Sequence, residues 1–273
     1  MFTLVAGTGY TGRRVLECLP ADEVAGASRS PIETDRPFQL VDFDALDTSV
    51  FDLPARYAVL YTCPPGDADD NRLQHFLAHL SPTPKRLVYI STTGVYGDCK
   101  GAVVTEDSPL NPDSRMSRPR VAAETLLARW AERTSSDLVI LRVPGIYGPG
   151  RLGVDRIRDG GAYISNEEAN PGNRIHVDDL VSCCIAALST ETPAGIYNVG
   201  DGDHRSSTWF ADEVARQADL PEPRKISRAQ AEEEFSPARL AFMVSSRIVD
   251  TTKMREVLGV TPRTPEEGIR NSL

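Results

Sequence analysis

The chain has 273 residues, 40% of them hydrophobic and 25% charged, with a formal net charge of −9. That acidic balance argues against nucleic acid as a partner, because neutralising phosphates needs a basic face. No run approaches the roughly 20 consecutive apolar residues that span a bilayer, so no membrane partner is expected.

The first element is the apolar run Phe2–Ala6, which reads as a buried strand. It breaks into Gly7-Thr8-Gly9-Tyr10-Thr11-Gly12 and then into a helix over Thr11–Cys18. G-x-G-x-x-G between a strand and a helix is a dinucleotide fingerprint. Gly7 permits the tight turn, Gly9 lets the backbone approach a pyrophosphate, and Gly12 lets the helix pack against the sheet. The free N–H groups at the helix start then face the phosphates. The fingerprint begins at residue 2, which leaves no room for a cleaved leader and points to the cytoplasm. The five cysteines, Cys18, Cys63, Cys99, Cys183 and Cys184, form no C-x-x-C and read as reduced thiols.

The second strand, Glu23–Ala27, runs into Ser28-Arg29-Ser30-Pro31 with no acid at its tip. An acid there would bind the 2′-hydroxyl of NAD. Arg29 instead offers a planar fork for a 2′-phosphate, and Ser28 and Ser30 add hydroxyl donors. NADP is therefore favoured, with NAD left open. Strand-like runs follow at Phe38–Val41, Tyr57–Thr62, Arg86–Ser91 and Leu138–Val143, and helix-like runs at Asp69–Leu80 and Arg118–Arg133. The alternation indicates an α/β fold with a parallel sheet covered on both faces. Ser117 is placed to cap the last helix, and Pro119 falls in its first turn. His75 and His79 share a helix face without an acidic or thiol companion, so no metal site is expected. Beyond residue 150, Gly150–Gly161 and Asn166–Asn173 read as loops. Val177–Leu188 reads as a helix containing Cys183 and Cys184, Gly195–Val199 as a strand and Ser207–Ala218 as a helix. Further helical runs lie at Arg228–Phe235 and Thr251–Leu258.

Five segments in order carry a family resemblance. They are Gly7–Gly12, Ile90–Asp98 (I-S-T-T-G-V-Y-G-D), Leu141–Arg151 (L-R-V-P-G-I-Y-G-P-G-R), Asn173–Leu180 (N-R-I-H-V-D-D-L), and the closing stretch from Ser246 through Leu258-Gly259 and Pro262 to Gly268. Together they resemble the extended branch of the short-chain dehydrogenase/reductase superfamily, the epimerase/dehydratase-like proteins. The resemblance implies a Rossmann-type, doubly wound parallel sheet that binds NAD or NADP, with a small C-terminal α/β substrate lobe. On this division the dinucleotide domain takes residues 1–150 plus about 174–200, and the lobe takes 151–173 and 201–273. The family's substrate is often a sugar nucleotide, and its members often form homodimers. Thr92 matches the family's catalytic Ser/Thr position, with Thr93 the near alternative. Val143, Pro144 and Gly145 lie in the loop that runs beside the nicotinamide in the family, and Asp42 and Phe43 match its adenine contact. His176 reads as a positioning residue, and Asp178 and Asp179 as caps of the following helix.

One feature departs from the family pattern. The superfamily's proton chemistry rests on Tyr-x-x-x-Lys at the start of the helix after the fifth strand. Aligning Val121–Glu124 puts Met116 and Arg120 at those two positions. Methionine exchanges no proton; Arg120 keeps its charge and could still hold the nicotinamide ribose. A literal Tyr-x-x-x-Lys, Tyr96 to Lys100, lies in a glycine-flanked turn and reads as a decoy, with Tyr96 expected to line the cleft. Ser114, Ser117 and Tyr147 are further hydroxyls near the site. The stretch between Arg151 and His176 is shorter than the family uses to grip a sugar nucleotide. Two readings remain: an NADP(H)-dependent oxidoreductase or epimerase-like enzyme on an unknown small molecule, and a non-catalytic NADP(H)-binding redox-sensing or regulatory protein.

Overall fold

The computed structural model describes residues 1–44, 52–66 and 71–273, apart from the side chains of Ala238 and Phe242. Strand β1 (Phe2–Ala6) leads into helix α1 (Tyr10–Cys18), followed by β2 (Val24–Ser28), β3 (Phe38–Leu40) and β4 (Tyr57–Tyr61). Next come α2 (Asn71–Ala78), β5 (Arg86–Thr92), β6 (Val103–Val104), α3 (Ser117–Thr134) and β7 (Asp137–Val143). Asp69 and Asp70, the expected start of α2, lie outside the described residues. The second half holds β8 (Gly145–Tyr147), α4 (Val154–Arg158), β9 (Tyr163–Ile164), β10 (Arg174–His176), α5 (Val177–Leu188) and β11 (Gly195–Asn198). It ends with α6 (Ser207–Gln217), β12 (Lys225–Ile226), α7 (Arg228–Glu234), α8 (Pro237–Val244), β13 (Ile248–Val249) and α9 (Pro265–Arg270).

Seven strands form one parallel sheet in the order β3-β2-β1-β4-β5-β7-β11. This is the doubly wound α/β arrangement that the alternation of elements implies. The central strands are buried on both faces and so read as continuous apolar runs, yet their side chains still alternate. Val5, Leu60 and Val88 point to one face, where Val15 and Leu16 of α1 and Leu180, Cys183 and Cys184 of α5 cover them. Leu4, Val59, Tyr61 and Tyr89 point to the other, against Leu73 and Phe76 of α2 and Leu127 and Trp130 of α3. The remaining short strands pair off the main sheet, β10 with β8, β12 with β9 and β13 with β6.

Four local expectations need correction. The glycine-rich stretch 150–161 is not all loop, because α4 occupies its middle. Residues 251–258 do not form a regular helix; Met254–Leu258 wind as one wide π-type turn. Ser117 does not cap α3. Its hydroxyl is engaged with Ser114, whose own Oγ accepts the Ser117 N–H at 3.0 Å, and Met116 sits at the cap position without a side-chain bond. The chain tightens one turn early, and Ser114 takes the role assigned to Ser117. Finally, Tyr96 does not line the cleft.

Tyr96 is only 1% exposed and belongs to a buried polar network. Its hydroxyl donates to Asn198 Oδ1 at 2.6 Å and accepts from Arg142 Nη1 at 2.9 Å. Arg142 pairs with Glu124 of α3 at 2.8 Å, and Glu124 accepts from Ser91 Oγ at 2.5 Å. The network ties β5, β7 and β11 to α3. Burial raises the phenol's pKa against the opposing pull of Arg142, so Tyr96 is a structural hydroxyl.

Two measurements follow. Tyr96→Phe leaves a buried N–H and a buried amide oxygen short of a partner, and should lower unfolding free energy in urea by about 1–3 kcal/mol. A cost under about 0.5 kcal/mol would contradict the network. The thiols should also separate by burial. Burial pushes Cys183 up to about 12 and Cys184 well above its ordinary range, while Cys18 is exposed. Cys18 should react with a thiol reagent in the folded protein, and Cys183 and Cys184 only after denaturation.

Candidate functional site

The carboxyl ends of the parallel strands open onto one long cleft, where ligands bind in sheets of this kind. At its amino-proximal end the three glycines of the fingerprint do three different jobs. Gly7 has φ +96°, and a Cβ there would lie 2.6 Å from Thr62 Oγ1. The same Thr62 hydroxyl donates to Gly7 O at 2.5 Å and pins the turn. A Cβ on Gly12 would lie 2.0 Å from Gly7 O, so only glycine lets α1 seat on the turn. A Cβ on Gly9 would meet nothing within 4 Å. Its bare face opens into the groove at the start of α1, where backbone N–H groups are free to receive an anion.

The groove encloses about 450 Å³. Gly7, Thr8, Gly9, Tyr10 and Thr11 form its floor, Ser28, Arg29 and Phe43 one end, and Ile90, Arg120 and Arg151 the other. Asp42 does not line it; its carboxylate accepts the Asp44 N–H at 3.0 Å and closes the turn that presents Phe43. Val143 is buried and lines neither pocket, while Pro144 and Gly145 face a second pocket. Arg29 pairs with Asp44 at 3.3 Å. Asp44 also holds Arg72 of α2, a groove residue that the sequence reading missed because no motif marks it.

The second pocket, about 480 Å³, adjoins the groove through shared walls at Ile146 and Arg151. Thr92 and Thr93 enter it from the end of β5, with Asn173, Arg174 and Phe210 opposite and Arg247 at its side. Thr92 Oγ1 accepts the Gly94 N–H at 3.1 Å, which leaves its hydroxyl hydrogen to donate elsewhere. Arg151 stacks over the Tyr10 ring at 3.8 Å, and no carboxylate pairs with it among the described residues. Arg247 likewise has no ion pair among them. It donates to Gly97 O at 2.7 Å, its Nε is buried without a partner, and burial lowers the pKa of its guanidinium. Arg174 is anchored to Asp203 at 3.1 Å.

The expected proton donors are not brought together here. Met116 is 84% exposed and lies on neither pocket wall. Arg120 does reach the groove, where it donates to Ile90 O at 2.5 Å and lies 3.3 Å from the Tyr89 hydroxyl. Ser114 and Ser117 bond to each other at 2.9 Å, away from both walls. The Tyr147 ring lines the second pocket, but its hydroxyl is buried against Gly268, and burial raises its pKa. His176 packs edge-on against the Tyr147 ring, 5.2 Å between centroids. Its Nδ1 accepts the Asp178 N–H at 3.2 Å, so His176, not Asp178 or Asp179, caps α5. Its Nε2 lies 3.0 Å from Ser272 Oγ, whose hydrogen goes to Gly268 O at 2.6 Å. That pattern assigns the neutral Nε2–H tautomer, in line with a pKa lowered by burial. Asp179 is spent on Arg263 at 3.1 Å.

No helix among the described residues is long and apolar enough to cross a membrane, and no cluster of metal-ligating side chains occurs among them.

Comparisons with known proteins agree with this architecture. The profile described as the NAD dependent epimerase/dehydratase family matches residues 71–200. Protein YeeZ of Escherichia coli K12 is 31% identical over 195 residues, 67% of this chain and 64% of YeeZ. The chain thus aligns with somewhat under two thirds of that relative. A solved structure of a conserved protein of unknown function from Silicibacter pomeroyi is 27% identical, with a TM-score of 0.80 over 98% of this chain and 97% of the other. The structure of MoeE5 in complex with UDP-glucose and NAD is 22% identical, with a TM-score of 0.76 over 100% of this chain and 97% of MoeE5. With a seven-stranded parallel sheet and a glycine fingerprint at its first turn, the chain is similar in fold and in sequence to the NAD-dependent epimerase/dehydratase family, whose profile its residues 71–200 match.

Proposed function

We propose that the chain binds NADP(H) in the long groove and acts as an oxidoreductase or epimerase-like enzyme on an anionic small molecule in the adjoining pocket. One observation carries the reading: the uncovered face of Gly9 at the start of α1 opens into a groove that continues to Thr92. The residues present fit a dinucleotide. Gly9 and Thr11 would receive its pyrophosphate, Phe43 its adenine, Ser28 and Arg29 a 2′-phosphate, and Arg120 the ribose nearer the pocket. NAD is the less favoured cofactor, because among the described residues no carboxylate lines the groove where its 2′-hydroxyl would need an acceptor. When bound, the nicotinamide would supply hydride acceptance or donation.

The chain's own residues set what happens around it. Thr92 is oriented by the Gly94 N–H to donate to a substrate oxygen. Arg151 and Arg247, free of carboxylates, favour a substrate bearing phosphate or carboxylate groups. The lobe from 151–173 and 201–273 would carry that substrate, since Asn173 is joined to Arg247 O at 2.9 Å across it. A non-catalytic, redox-reporting binder is the second reading, and the exposure of Met116 favours it, because that position holds no proton donor.

Three outcomes separate these possibilities. Gly9→Val fills the groove floor and should abolish dinucleotide binding in a fluorescence titration while the fold persists by circular dichroism. Arg29→Ala should weaken NADPH about tenfold, roughly 1.4 kcal/mol, and NADH less than twofold; equal losses would remove the 2′-phosphate assignment. Across a panel of phosphorylated and carboxylated carbonyl compounds, NADPH should be consumed in a reaction abolished by Thr92→Ala. Tight NADPH binding with no consumption across the panel would transfer the assignment to the regulatory reading.

A further inference from the structure

We propose that Arg72 and Arg29 act together as a two-guanidinium clamp for the 2′-phosphate of NADP(H), aligned by the carboxylate of Asp44 between them. The proposal deepens the NADP(H) reading above and rests on it. Arg29 reaches the groove from the end of β2, on one side of β1, and Arg72 from α2, which follows β4 on the other side of β1. Asp44 meets Arg72 along both edges, Nε to Oδ1 at 2.7 Å and Nη2 to Oδ2 at 2.9 Å. Its Oδ2 is also 3.3 Å from Arg29 Nη1. Arg72 Nη1 donates to Pro64 O at 3.2 Å, which fixes the guanidinium plane against a residue of the groove wall. Arg72 is thus held at three points, with its side chain only 12% exposed.

The charge count decides between two uses of this cluster. Asp44 could itself accept the 2′-hydroxyl of NAD, but both of its oxygens are already taken by guanidinium donors, and the Arg72 contact holds its pKa below the usual carboxylate range. Asp42, the neighbouring carboxylate, accepts the Asp44 N–H and lies off the groove wall. At this end of the wall stand Arg29 and Arg72, and no acid among the described residues. A phosphate with several acceptor oxygens suits the N–H groups that the two guanidiniums have left over from these contacts better than a single hydroxyl does. Arg29 alone is an exposed loop cation; Arg72 supplies the fixed half of the site.

The experiment measures NADPH and NADH dissociation constants for the full chain and three variants by isothermal titration. Arg72→Ala should weaken NADPH at least tenfold and NADH less than twofold, with Arg72→Lys recovering part of the loss. The double change of Arg29 and Arg72 to Ala should bring the two affinities together. Asp44→Asn should leave NADH within twofold. The clamp is overturned if Arg72→Ala spares NADPH or weakens both cofactors equally, or if Asp44→Asn costs NADH tenfold, which would make Asp44 the ribose acceptor. Wild-type preference for NADH would also sink the clamp while leaving the dinucleotide site standing. Failure to bind either cofactor would remove the site and the clamp together.

Discussion

The contact on which everything else depends is backbone against backbone: Gly12 of α1 lying on the carbonyl of Gly7. No side chain fits there, since a Cβ on Gly12 would come within 2.0 Å of that oxygen. Because the helix seats so closely, its first N–H groups point over the end of β1 instead of into solvent. Thr62 completes the arrangement from β4 by bonding the same carbonyl. The neighbouring strand and the helix are thereby locked to one turn, and the unhindered Gly9 is left facing the groove. The position of the cleft follows from this packing.

A second constraint operates at the far end of the cleft. The Glu124–Arg142 pair is buried between α3 and the sheet, so each charge must be fully satisfied there. Ser91 and Tyr96 serve that need. As a result β5 ends with Thr92 turned toward the cleft, while the tyrosine four residues later is drawn into the core. The hydroxyl of the literal Tyr-x-x-x-Lys is spent on solvating a buried arginine.

Much of the fold was legible because its signals are local. Short apolar runs, glycines at turns and a capped, alanine-rich helix each constrain only their neighbours, and the seven strands of the sheet could be read from them. Most of the errors arose where distant contacts decide. At Ser117 the choice was local, since Ser114 three residues earlier offers an equal cap, but nothing near Tyr96 shows Asn198, 102 positions away, waiting for its hydroxyl. Arg72 escaped for the same reason, since its partner Asp44 lies 28 residues earlier. The α4 turn within residues 150–161 was hidden by the glycines around it; its buried Ile157 packs against α6, beyond the reach of local propensity. His176 was legible as a positioning group, but its capping of α5 was not, because histidine is an uncommon cap.

The distribution of charge links the composition to the cleft. A chain with a formal net charge of −9 should repel anions at long range. Yet the walls of the two joined pockets carry Arg29, Arg72, Arg120, Arg151, Arg174 and Arg247, and no carboxylate among the described residues. The acids that restrain two of these arginines, Asp44 for Arg72 and Asp203 for Arg174, are not part of the two pocket walls. A cationic channel inside an acidic surface concentrates the field where the low-dielectric walls are closest, which favours small anions that fit inside and disfavours polyanions that cannot enter. Composition alone argues against a large polyanion. The geometry adds a cleft lined by arginines, with Arg29 and Arg72 at one end and, at the other, Arg151 and Arg247, which have no ion pair among the described residues.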